Sequence, residues 1–158
     1  PYRHFRDKDE LVAAVAEEGF HLLTRHMREE IARRGGDVMS RLGAAAEGYV
    51  AFAVAHPATF RTIFGGAVCG DDEQRPKGLQ EAGEEAYRVL RDLIAEGIEH
   101  GRLRAEDPDQ LALGAWATVH GLSMLIIEGQ VAGVRAHPAR RRALTDVVVR
   151  LIESGIKR

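Results

Sequence analysis

The sequence predicts an all-α domain of about six helices, and three observations carry that expectation. No stretch sustains the period-2 alternation of β-branched residues that marks a strand. Apolar residues instead recur at helical spacing along most of the chain. Proline and glycine punctuate it where helices start and stop.

The first helix opens at Asp7, an N-cap with Glu10 as its capping-box partner. It runs through Leu11, Val12, Val15, Phe20, Leu22, Leu23, Met27 and Ile31 to a natural stop at Gly35-Gly36. A second helix covers about 37–55, with Met39, Leu42, Ala46, Tyr49, Val50 and Ala53 at helical spacing. In "HPATF" (56–60), Pro57 occupies the first turn of a short helix that ends near Gly65-Gly66. The glycine-rich, charged "GGAVCGDDEQRPKG" (65–78) reads as a mobile loop. A long helix follows to about His100, with Leu79, Ala82, Ala86, Leu90, Leu93, Ile94 and Ile98 on its apolar side. "DPDQL" (107–111) and "HPARR" (137–141) start the last two helices.

Those two differ from the rest. Residues 111–127 carry no charge, and a helix apolar all round must be buried all round. In a domain this small, one side meets the chain's own core and the other needs a partner. The partner side is assigned to Leu111, Ala115, Leu122 and Ile126. The final helix adds Leu144, Val147, Val148, Leu151 and Gly155, close to coiled-coil spacing. Two such helices from each of two chains form a four-helix bundle, so a homodimer is expected.

Composition bounds the function. With 158 residues, 45% hydrophobic and 29% charged, this is one soluble domain. A formal charge of -2 gives no overall nucleic-acid footprint, so any such contact must be local. A single cysteine, Cys69, excludes a disulfide framework and suits a reducing cytoplasm. No apolar run reaches the roughly 18 residues of a membrane span, and no membrane partner is expected. Phosphate loops, nucleophile elbows and cysteine clusters are absent, so neither enzyme activity nor a cofactor is expected. Glu18-x-x-His21 has di-iron helix spacing but no second such pair, so no metal is expected. Cys69 reads as an incidental thiol, and Arg140, Arg141 and Arg142 as a solvated face.

Aromatic residues gather on the central helices, and helical ligand sites are apolar with a few placed polar groups. Tyr49, Phe52, Phe60, Phe64, Tyr87, Trp116, His120 and Met124 are expected to line one cavity. Trp116, His120 and Met124 follow one another at i, i+4 steps. Tyr49, Tyr87, Thr118, His120 and Ser123 are the polar groups available to it.

"YRHFRDKDEL" (2–11) resembles the end of the DNA-binding region of TetR-family transcriptional regulators, through Tyr2, His4, Phe5, Lys8 and Leu11. "WATVHGLSML" (116–125) is similar to the Trp-x-x-x-His-Gly segment of one class of TetR-type C-terminal domains. "HPATFRTIF" (56–64) looks like the same class. The resemblance implies that residues 1–6 end a helix-turn-helix and that 7–158 form a ligand-binding and dimerisation domain. It implies Tyr2, His4 and Lys8 as contacts to operator DNA phosphates, with base-reading residues lying further towards the N-terminus. It also implies a small-molecule effector, an apolar or aromatic one, acting most often on a repressor. A helical-bundle carrier or enzyme with no DNA role is the alternative that the residues leave open.

Overall fold

The computed structural model describes residues 8–65 and 75–156. Asp7 and Cys69, and Tyr2 and His4 expected as phosphate contacts, lie outside them, as does most of the expected loop. Six helices follow in order: α1 (Lys8–Arg34), α2 (Val38–Ala55), α3 (Pro57–Ile63), α4 (Lys77–Glu99), α5 (Pro108–Ile127) and α6 (Pro138–Ile156). No strand occurs among the described residues.

The boundaries follow the punctuation. Arg33 and Arg34 complement the negative end of α1, and Gly35 and Gly36 then adopt φ of 59° and 85°, which side chains rarely tolerate. Asp37 caps α2 by accepting from the Ser40 amide at 3.0 Å. Asp107 caps α5 by accepting from the Asp109 amide at 2.9 Å, with Pro108 just after it. Prolines also open α3 and α6.

Helix α2 lies at the centre and touches each of the other five. Its glycines and alanines permit this. A methyl group on Gly48 would stand 2.6 Å from the His26 carbonyl oxygen, so the α1 and α2 backbones are in direct contact there. Buried Glu47 on α2 forms ion pairs with Arg34 of α1 at 2.5 Å and Arg142 of α6 at 3.5 Å. Arg142 reaches this buried carboxylate from a side chain that is itself exposed.

Helix α5 corrects two expectations. By length and composition it is apolar enough to cross a membrane, contrary to the sequence reading. Its packing against α2, α4 and α6 is that of a core helix. The side expected to meet a partner also faces inward. Leu111, Ala115, Leu122 and Ile126 are buried in the chain's own core, because this is the side that meets the other helices. The exposed side carries Leu113, Ala117, Gly121 and Leu125. On α6, Val147, Leu151 and Gly155 are exposed, whereas Leu144 and Val148 are half-buried against the core.

Candidate ligand cavity

Five of the predicted residues come together around Phe60, which is fully buried. Its ring stacks on His120 with centroids 5.2 Å apart and meets Phe64 and Tyr49 edge-on at 4.9 and 5.6 Å. Trp116 lies 5.9 Å from Phe64 and 6.0 Å from His120. These are the offset and edge-to-face geometries that aromatic pairs prefer. Phe52 joins from behind Phe60, and Tyr87 meets Trp116 edge-on. Met124 packs at the cluster's margin.

The polar edge of the cluster is a short chain of hydrogen bonds. Trp116 Nε1 donates to the Tyr49 hydroxyl at 3.0 Å, and that hydroxyl lies 2.9 Å from His120 Nδ1. An indole nitrogen only donates, so the hydroxyl oxygen accepts from Trp116, and it shares a second hydrogen bond with Nδ1. Burial pushes the Tyr49 phenol well above its ordinary range and holds His120 below the usual imidazole value. Both groups are therefore neutral at pH 7, as a buried chain of this kind requires. The other expected polar groups are committed elsewhere. Ser123 and Thr118 donate to carbonyls of their own helix, and Tyr87 donates to the Asp109 carbonyl.

The free space lies beside this cluster, not inside it. A cavity of about 60 Å³ occupies the seam between the two halves of the core. Of the eight residues expected to line it, only Tyr49 and Trp116 do. Phe52, Phe60, Phe64, Tyr87, His120 and Met124 do not, because the rings fill the volume between them. The walls come from residues that the sequence reading placed only on apolar helix faces, Met27 of α1, Met39, Leu42 and Ala46 of α2, and Leu90 and Ile94 of α4, together with Val119 of α5, which it did not single out. Val149, Ile152, Glu153 and Ile156 of α6 complete it. Small alanines facing flexible methionines was the signal available in the sequence.

Burial gives the cavity a direction. Met27, Ala46, Tyr49 and Ile94 are buried and close its inner end. Leu90 on α4 and Ile152, Glu153 and Ile156 on α6 are half-buried. Among the described residues, no group of three or more side chains suited to a metal comes together, and His21 faces Glu85 at 3.8 Å.

With six helices, five of them walling a core cavity, the comparisons are decisive. The sequence profile of the family described as "Tetracyclin repressor-like, C-terminal domain" matches residues 42–152, well over half of the chain. The chain belongs to the TetR family. A comparison with curated proteins finds no match. Among solved structures, this TetR-family chain is similar to a Rhodococcus sp. RHA1 protein of unknown function, at 26% identity and a TM-score of 0.82. That match covers 100% of this chain and 77% of the other. A TetR-family transcriptional regulator from Chloroflexus aurantiacus J-10-FL is 22% identical with a TM-score of 0.74, covering 99% and 76%. The regulator FadR from Bacillus subtilis, in complex with stearoyl-CoA, is 16% identical with a TM-score of 0.74, covering 96% and 78%. The latter two share the fold.

Proposed function

We propose that this chain is the sensing and dimerising part of a cytoplasmic transcriptional regulator, a repressor released when a small apolar effector enters the cavity. One observation carries the reading: a single cavity is walled by α1, α2, α4, α5 and α6 together. Helix α1 is the element that follows the residues resembling a helix-turn-helix, and Met27 in its C-terminal half is part of the wall. A ligand that prefers one setting of α1 against α4 and α6 would thus change the spacing of two DNA readers. Differential affinity of that kind is what allostery requires. The FadR complex shows a fold relative holding a large acyl ligand.

The proposal includes residues 1–6 as the end of a helix-turn-helix, 7–158 as the sensing domain, and Tyr2, His4 and Lys8 as phosphate contacts. Lys8 is exposed in the first turn of α1, where free amides also favour an anion. Exposed Leu11 and Val15, one turn apart on α1, are suited to packing against a preceding module. The homodimer would use the exposed sides of α5 and α6. Leu113, Leu125, Val147 and Leu151 stand 43–64% exposed there. A methyl group added to Gly114, Gly121 or Gly155 would meet nothing within 4 Å, which leaves room for a second helix pair.

The test uses the gene's full product on its own upstream DNA. It should bind a palindromic site as a dimer, and an apolar ligand that raises its melting temperature should release it. Lys8→Ala should weaken binding to all sequences alike and reduce the salt slope by about one. Tight DNA binding that no cavity ligand alters would refute the sensing role.

A further inference from the structure

Two methionines from different helices line the cavity, Met27 of α1 and Met39 of α2, and both are buried. Two rings of the filled cluster, Tyr49 and Trp116, also border it. Thioethers make favourable contacts with aromatic rings, and rings pair with rings edge-on or offset. Apart from Glu153, the remaining walls are alanines and branched aliphatic side chains. The polar groups around this space are already engaged. Trp116 Nε1 donates to the Tyr49 hydroxyl, which shares a second hydrogen bond with His120. Glu153 has an interaction of its own. At the end of α6, Arg104 donates to the Gly155 carbonyl from its side chain and to the Ile156 carbonyl from its amide. A charged or hydrogen-bonding ligand group would displace one of these contacts or be buried without a partner, and either is costly.

We propose that the cavity takes a neutral aromatic hydrocarbon, a single ring held by Met27 and Met39 against Trp116. This rests on the cavity being the effector site and specifies the chemical class of the effector. An apolar cavity of about 150 Å³ holds benzene without help. This one measures about 60 Å³, so the ligand is small and the two flexible methionines change rotamer to admit it. No hydrogen bond breaks when they do. Burial alone would favour an aliphatic ring, because cyclohexane presents more apolar surface to water than benzene does. A preference for benzene therefore comes from the thioethers and the neighbouring rings.

Three probes of one ring size test the class: benzene, cyclohexane and benzoate. Affinity is read from Trp116 fluorescence and from the shift in melting temperature. In the wild type benzene should bind tightest, and benzoate at least about tenfold more weakly than benzene. Met27→Leu and Met39→Leu keep the side-chain volume, so both variants should fold. Each should weaken benzene about two- to tenfold, the worth of one sulfur–ring contact, and leave cyclohexane within about twofold. The wild-type order decides the class even without the variants. If cyclohexane leads, if benzoate matches benzene, or if both hydrocarbons weaken alike in the variants, the aromatic assignment is wrong and the cavity reading stands. Should neither hydrocarbon bind, both fall.

Discussion

Around Phe60 the core is made of rings; around Ala46 it is made of methyls and thioethers. The ring end is filled, with Phe60, Phe64, Tyr49, His120 and Trp116 meeting at centroid separations of 4.8–6.3 Å. The other end holds the cavity, where Ala45, Ala46 and Ala115 face Met27 and Met39 across free space. A void arises where side chains fall short of the space between backbones, and aromatic rings supply volume. Rings therefore mark the rigid wall of this site and alanines its room.

The contrast is most exposed to failure at Phe60. Phe60→Ala should cost about 3–5 kcal/mol, the range for an aromatic truncated in a filled core, as measured by denaturant unfolding. A loss under about 1 kcal/mol would mean that the ring end is loose and the contrast false. Tyr49→Phe comes next. It strands the Trp116 indole N–H and removes the partner of His120 Nδ1, and should cost about 1–3 kcal/mol. If the variant were as stable as the wild type, water would be reaching both groups and the wall would not be closed.

Acid should weaken the ring end first. The folded-state pKa of His120 lies below 6.5 because of burial, so its stability contribution is complete above pH 6.5. As pH falls through the lower folded value, the unfolded chain takes up the proton more readily and that contribution is lost. His26 shifts the same way, through burial and then through His56. Melting temperature should fall as pH drops below 6.5, and His120→Gln should flatten the slope without removing the share due to His26. An unchanged slope in that variant would place His120 in contact with water.

The smallest effect belongs to the cavity end. Ala46→Leu should change stability by no more than about 1 kcal/mol, since its added carbons enter existing space. A larger loss would show that there is no space to enter.

Most of the fold was legible because caps and breakers act locally. Asp37, Pro57, Asp107 with Pro108, and Pro138 stand at the helix starts that their chemistry dictates. The ring cluster was legible too, since Trp116 and His120 sit one turn apart and Phe60 and Phe64 likewise. Two things were not. Helix α5 has no charged side between 111 and 127 to orient it, so its inward face had to come from tertiary packing. Leu111 and Ala115 went inward, and Leu113 and Ala117 outward. The cavity was hidden for a different reason: it is a difference between volumes from five helices, and no single segment encodes it.

The central claim is that the space beside Ala46 admits a ligand against Trp116. Trp116 is the only tryptophan in the chain, so its fluorescence reports that event without a label. The direct measurement is a titration with 1-octanol of the wild type and of Ala46→Leu, followed at Trp116. A saturable change in the wild type that is lost in the variant is the predicted result. No saturable change in the wild type, or an equal one in Ala46→Leu, would contradict it.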